Sequence, residues 1–440
     1  MNEIVPTSIV LLIGTAIVAA WARRFEPKER SWVLAAYAAH VIAAFAQVWI
    51  TMGYYGGGDL LYYSWSGREV ARLLRHDFGY AVDVVAIMFH QDQTIPIAGL
   101  TGDNTTRTVS ALSGFIFFIS GDSLYSACLI VSIASFYGQL AIYRVFRDRT
   151  PKTVHLRLAI GIMLLPTVVY WTAGILKEAV AMAGFGWVVF GWHLYLRGRR
   201  ASGLTIALLG AVPVGLVKAY ILFGFLGPAF AWWYWERASD GGRRAPKIKP
   251  TYIVIAAGLG VVGLVLLGEL FPRFKLDSVV DETQRLQEVG HTVEGGSNYF
   301  LVAEPTEGLV GQVGIAPLAL LTALFRPFLF EVANLMMLLN ALETTALTVL
   351  FLRSIKRFRS TWRKTLRSPL MMFSLIFVLS MGIAVGLAST NLGTLSRYRV
   401  PMMPFFASLI ILWDALSRQP NPGKQVAPPG LARSLRRSSA

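Results

Sequence analysis

Apolar residues in this chain come in nearly unbroken runs about twenty residues long, the length at which a helix spans the roughly 30 Å hydrocarbon layer of a bilayer. Two such runs are 251–271 (TYIVIAAGLGVVGLVLLGELF) and 369–388 (PLMMFSLIFVLSMGIAVGLA). Hydrocarbon offers no water to satisfy backbone N–H and C=O groups, so a run of this kind must pair its own backbone and be helical. Composition points the same way: 55% of the 440 residues are hydrophobic, 15% are charged and the mean hydropathy is +0.53. A soluble domain carries about 25% charged residues. The expected fold class is therefore all-α, a polytopic transmembrane helical bundle.

The formal net charge of +16 is distributed in a way that limits its meaning. Lys and Arg gather in short clusters between apolar runs, at 23–30, 144–157, 197–200, 237–249 and 353–367, and in the tail at 418–437. That is the positive-inside pattern of membrane proteins. A nucleic-acid footprint would need a contiguous basic face, so membrane lipids rather than nucleic acid are the expected partners. Placing all six clusters in the cytoplasm puts the N-terminus outside, the C-terminus inside, and the protein in the cell inner membrane as a multi-pass chain. The spans then fall near 5–22, 32–52, 122–146, 158–175, 178–196, 202–218, 219–235, 252–271, 330–352, 369–388 and 400–416, about eleven crossings.

Two apolar stretches, 109–120 and 310–325, break the parity of this count. They are expected as re-entrant or interfacial segments, which are tolerated where protein or a water-filled cavity shields the backbone; a pair of extra spans that cancel is the alternative. The transmembrane domain then covers 1–416, with outer loops at 53–107 and 272–309. The basic tail 417–440 has no apolar periodicity and is expected to be disordered. The N-terminus lacks the basic region and cleavage site of a signal peptide, so 10–22 is expected to stay as the first span. The single cysteine, Cys128, excludes an intrachain disulfide and a cysteine zinc site.

Ionisable residues near membrane depth are expensive and mark functional sites by default. Four groups stand out on the predicted outer side. The first loop opens YYGGGDLLYYSWSG, where three glycines free the backbone before Asp59. Asp59 begins an amphipathic helix and reads either as its N-cap or as a general base, a metal ligand or a sugar-hydroxyl ligand. Tyr63, with Tyr62 and Trp65, suits stacking on a sugar or an aromatic membrane belt. In PTVVYWTAGILKEAV, Lys177 and Glu178 interrupt a hydrophobic hairpin, and Lys218 breaks VPVGLVKAYILF on the same side.

In FRPFLFEVANLMMLLNALETT, Arg326 and Glu331 either pair with one another or offer a phosphate site and an acid. Glu331 with Asn334, and Glu343 with Asn340, are spaced three apart and are expected to share helix faces. In TNLGTLSRYRVPMMPFF, Arg397 and Arg399 lie where the positive-inside rule expects few cations, and Arg suits bidentate contact with phosphate. Lys177, Lys218, Arg326, Arg397 and Arg399 thus make a cationic set for phosphates. Asp59, Glu178 and Glu331 supply carboxylates for a sugar hydroxyl. No zinc-protease, Walker, nucleophile-elbow or dinucleotide motif occurs, and the six histidines show no paired metal spacing, so no metal ligands are expected.

The G-G-D-x-x-x-Y of the first outer loop resembles the acidic loop of GT-C-type membrane glycosyltransferases. The late R-Y-R-x-P-x-x-P-F resembles the R-Y-x-x-P-x-x-P-F of that class and of Wzy-type polysaccharide polymerases. The matched residues are Asp59, Tyr63, Arg397, Tyr398, Arg399, Pro401 and Pro404. Two departures are that Asp59 is followed by Leu60 and Leu61 rather than a second acid, and that the loop follows the second span rather than the first. The resemblance implies an enzyme of cell-surface polysaccharide assembly that transfers or polymerises saccharides from a polyprenyl-(pyro)phosphate carrier on the periplasmic face. It implies no cofactor for a polymerase and a divalent metal for a GT-C transferase. The implied partners are a polyprenyl-linked saccharide and other glycan-assembly proteins. A GT-C transferase using a polyprenyl-phosphate sugar is the alternative, and a polysaccharide or lipid-carrier flippase a further one. A transporter would favour repeated halves and broken helices at the midplane, and no internal repeat is found.

Overall fold

A computed structural model describes residues 3–89, 104–238, 308–389 and 391–418, and among these there are helices and turns but no β-strand. In chain order the helices are α1 (Ile4–Ala22), α2 (Pro27–Ile50), α3 (Asp59–His76), α4 (Phe78–Phe89), α5 (Asn104–Ser120), α6 (Leu124–Arg149), α7 (His155–Met163) and α8 (Pro166–Trp171). They continue with α9 (Lys177–Leu196), α10 (Arg200–Lys218), α11 (Tyr220–Ala238), α12 (Gly308–Phe325), α13 (Leu335–Thr365), α14 (Pro369–Ala388), α15 (Leu392–Tyr398) and α16 (Met403–Arg418). Among the described residues, seven helices are long and apolar enough to cross a membrane, or eight if the bent pair α15–α16 counts as one. The expected span at 252–271, the outer loop at 272–309 up to residue 307, and the tail beyond 418 lie outside the described residues.

Three expected spans take a different form. The stretch at 158–175 is not one helix: α7 ends at Met163 and α8 starts at Pro166. Pro166 has no N–H to continue α7 and holds Leu165 in an extended conformation (φ −63°, ψ 120°). The span expected at 330–352 starts at Leu335, where the Asn334 side chain accepts from Met337 N, and Glu331 lies before it in a short 3-10 turn. Glu331 and Asn334 therefore do not share a helix face. The last expected span, 400–416, is preceded by α15 and bends 72° from it.

Helix α9 is the hub of the bundle, packed on α10 and α6 more extensively than any other pair of elements. Lipid tails are as apolar as side chains, so helices in a membrane associate by close packing and favour small residues at crossings. At the α6–α9 crossing a Cβ on Gly186 would lie 1.8 Å from the Gly138 carbonyl oxygen. On the opposite face of α9, a Cβ on Gly184 would lie 2.4 Å from Gly210 O, and one on Gly191 2.6 Å from Gly203 O. The two stretches that broke the parity are each a continuous helix. α5 packs against α3 and α4, with Ser66 Oγ donating to Ser110 Oγ at 2.8 Å. α12 lies along α14, where a Cβ on Gly386 would lie 2.0 Å from Ala319 O.

The end carrying the basic clusters is tied by ion pairs between helices: Arg147 with Glu29 (3.0 Å), Arg149 with Glu236 (2.7 Å) and Arg157 with Asp414 (2.8 Å). At the other end Glu3 accepts from Ser123 Oγ (2.6 Å) and Leu124 N (3.2 Å), and Arg75 pairs with Asp122 (2.6 Å).

Two outcomes are expected. Gly186→Ala should lower the thermal midpoint of the purified protein by the equivalent of about 1–3 kcal/mol, the usual cost of overpacking. Gly227→Ala, whose Cβ would meet nothing within 4 Å, should leave it unchanged; equal midpoints would show that the crossing is not what holds the bundle. For topology, a cysteine at exposed His76 should react with an impermeant maleimide in intact cells, and one at exposed Ser202 only after permeabilisation. The buried Cys128 should stay silent, and the opposite labelling would reverse the orientation read from the basic loops.

Candidate functional site

Four helix ends meet at the end of the bundle opposite the basic clusters, and each brings a charge of the sign its helix dipole favours. Asp59 is the first residue of α3 and Glu178 stands in the first turn of α9; Lys218 closes α10 and Arg397 lies in the last turn of α15. Glu178 Oε1 accepts from Lys218 Nζ at 2.8 Å and from Arg397 Nε at 3.0 Å, and Oε2 accepts from Arg397 Nη2 at 3.2 Å. Arg397 Nη2 also donates to Asp59 Oδ2 at 2.6 Å. One oxygen of the Asp59 carboxylate is thus held in an ion pair, and the α3 N-cap is Gly58, which makes no side-chain cap.

Aromatic rings wall the quartet. The Arg397 guanidinium lies 5.1 Å from the Trp171 ring centroid and the Lys218 ammonium 4.5 Å from that of Tyr398. Lys218 Nζ also donates to Tyr220 Oη at 3.4 Å. Such contacts hold a cation without adding a counter-charge. Tyr63 is buried, and its hydroxyl hydrogen-bonds Thr106. Burial, and then the neighbouring Asp59 charge, push its ionisation well above the usual tyrosine range, so it remains a protonated hydroxyl. Lys177 donates to Thr105 Oγ1 (2.7 Å) and Thr106 Oγ1 (2.9 Å), tying α9 to the start of α5.

The two carboxylates differ sharply in access. The Glu178 side chain is 1% exposed and both its oxygens are taken, so it serves as an anchor for Arg397 and Lys218. Asp59 is 44% exposed and its Oδ1 has no hydrogen-bond partner among the described residues, so it is the carboxylate able to take a proton from a bound hydroxyl.

Beside the quartet lies a cavity of about 880 Å³ between α2, α8, the start of α13, and α15. Its wall includes Ala39, Ala43 and Ala46 of α2, Trp171, Asn340 and Arg397. Two of its lining residues, Ile42 and Leu339, are 68% and 52% exposed, so the wall continues onto the apolar outer surface of the bundle. α8 is fixed there by Glu343, which accepts from Thr167 N at 2.7 Å and from the Thr167 hydroxyl. At the other end of α8, Gln139 Nε2 donates to Thr172 Oγ1 at 2.9 Å and bonds His40 Nε2 at the same distance.

The remaining predicted residues sit elsewhere. Arg326 pairs with Glu331 within one loop. Arg399 is fully buried and donates to Arg326 O at 2.6 Å and to Asn340 Oδ1, fastening the bend between α15 and α16 to α13. The structure therefore gathers Asp59, Glu178, Lys218 and Arg397 around one point, with Tyr63 and Lys177 behind them, and holds Arg326, Glu331 and Arg399 in a separate tie. Trp171 and Tyr220 belong to the site but were not singled out in the sequence, whereas Tyr398 entered as a residue of the late motif and Glu343 as the partner of Asn340; Trp171 stands six residues before Lys177 in a stretch already notable for its charges. Among the described residues no group of three or more His, Cys, Asp or Glu side chains is gathered. Searches against family models, curated proteins and solved structures found no match.

Breaking a buried ion pair from one side strands a charge, at about 3–5 kcal/mol. Glu178→Gln, which leaves Lys218 and Arg397 without their shared partner, should accordingly depress the thermal midpoint strongly. Glu26→Gln, which breaks the exposed pair with Lys152 at the opposite end, should leave it within error. Equal midpoints for both variants would remove Glu178 as the anchor of the site.

Proposed function

We propose that the chain is an integral-membrane enzyme of cell-surface polysaccharide assembly, transferring or polymerising saccharides from a polyprenyl-(pyro)phosphate carrier at the periplasmic face of the inner membrane. The observation that carries this reading is the placement of Arg397, with an accessible carboxylate on its guanidinium, on the wall of a largely apolar cavity that reaches the lipid-facing surface. A lipid-linked sugar needs those three provisions together: room for hydrocarbon, a cation for phosphate, and a base for the attacking hydroxyl. Asp59 is the base in this reading and Arg397 the phosphate ligand. Glu178 and Lys218 hold Arg397, and Trp171 confines it. The cavity's apolar wall takes the first isoprene units.

Polymerisation is favoured over single-sugar transfer because the quartet resolves onto an arginine rather than a pair of open carboxylates. One exposed acid with one arginine matches the resemblance to the polymerase class more closely than a two-acid, metal-binding loop. A GT-C transferase using a polyprenyl-phosphate sugar remains the alternative.

Glycan output in a deletion strain complemented with Asp59→Asn is the direct test. Asn keeps a side-chain oxygen that can accept from Arg397 Nη2, so a structural role predicts little change, whereas loss of a general base lowers turnover by roughly 10²-fold or more. The variant should accumulate normally in the membrane and make almost no glycan; wild-type output would remove Asp59 from the mechanism.

A further inference from the structure

The hydrogens of one guanidinium carry a second conclusion. An arginine has five N–H bonds, four of which form two usable edges, a side-on edge of Nε with Nη2 and an end-on edge of Nη1 with the other Nη2 hydrogen. Glu178 occupies the side-on edge of Arg397 with both its oxygens, at 3.0 and 3.2 Å. The end-on edge is only half filled. Asp59 Oδ2 takes the Nη2 hydrogen at 2.6 Å, while Nη1 has no hydrogen-bond partner among the described residues, on a side chain that lines the cavity.

We infer that the end-on edge of Arg397 is a docking site for one phosphate group, and that the phosphate takes it by displacing Asp59. This deepens the proposed function and rests on it for the identity of the ligand, though not for the exchange itself. A phosphate bound bidentately needs both Nη1 and that Nη2 hydrogen, so it cannot be accommodated while Asp59 holds its bond.

Charge reaches the same conclusion. The quartet sets two carboxylates against two cations and is neutral as it stands. A phosphate added to it would leave uncompensated negative charge in a site where Arg397 is only 24% exposed. Once Asp59 departs, the remaining three groups carry one net positive charge for the phosphate to meet. Glu178 cannot be the one to leave, because it is 1% exposed and held by Lys218 as well.

Asp59 is mounted to move. It follows Gly56, Gly57 and Gly58, two of them at φ +64° and +117°, and a Cβ on any of the three would meet nothing within 4 Å. Displacement needs no repacking there. Its consequence is ordered: phosphate arrives, Asp59 is released beside it, and the carboxylate is then open to a hydrogen bond from the acceptor hydroxyl.

The exchange can be read by binding alone, without turnover. Calorimetry on the protein in nanodiscs, with farnesyl phosphate and separately with inorganic phosphate, would compare wild type, Asp59→Asn, Asp59→Ala and Arg397→Lys. Removing the resident competitor should tighten phosphate binding by about tenfold in both Asp59 variants, the order expected when a like charge is taken from a binding site. Arg397→Lys, which keeps the charge but loses the fork, should weaken it by a similar factor. Asp59 variants that bind no tighter than wild type, while Arg397→Lys still loses affinity, would overturn the exchange and leave the phosphate site standing. Equal binding by all four proteins would overturn both. A preference for farnesyl phosphate supports a lipid-borne phosphate as the displacing ligand, and equal affinity for the two probes supports the exchange with a soluble one.

Discussion

The arrangement of the outer end depends on one buried carboxylate. Glu178 draws Lys218 from α10 and Arg397 from α15 onto the first turn of α9, and nothing else in the described structure joins those three helix ends so closely. A lone ion at that depth would be prohibitively desolvated, and a carboxylate facing two cations is not. The helices contribute as well, since two N-termini present the acids and two C-termini the bases, so the macrodipoles reinforce the pairs they carry. The glycine crossings beneath make this possible. With Gly138 and Gly186 in backbone contact, α9 cannot slide against α6 without a clash, and the height of Glu178 is fixed.

Much of the architecture was legible in the sequence because the bilayer reduces folding to a length rule. Among the described residues, runs of about twenty apolar residues became helices, and in the basic cluster at 144–157 Arg147, Arg149 and Arg157 pair with acids on other helices. The discrepancies have local causes. Pro166 breaks what hydropathy alone reads as one span, and Asn334 starts α13 later than its apolar run suggests because a cap outweighs hydrophobicity there. The two stretches that spoiled the parity are full helices whose partners, α3 and α14, are not adjacent to them in the chain.

The site was half legible. Residue type and position flagged Asp59, Glu178, Lys218 and Arg397 individually, through the cost of charge near hydrocarbon. Their meeting was not, since Asp59 and Arg397 are 338 residues apart and no local pattern pairs them. Arg397 and Arg399 show the limit most clearly. Two residues apart at the end of a helical turn, they face different ways, so one joins the quartet and the other is sealed into the bend. Composition and motif cannot separate them, and only the packing of α13 against the turn does.

The lateral reach of the cavity has a practical corollary. Ile42 and Leu339 carry its wall out to the apolar surface, so whatever surrounds the protein is also a candidate to enter it. An alkyl-chain detergent is then a competitor as well as a medium, present at millimolar concentration against a scarce lipid. Apparent affinities measured in micelles would fall with chain length and concentration of the surfactant. The same protein would look weak in one preparation and tight in another, with no change in a single residue.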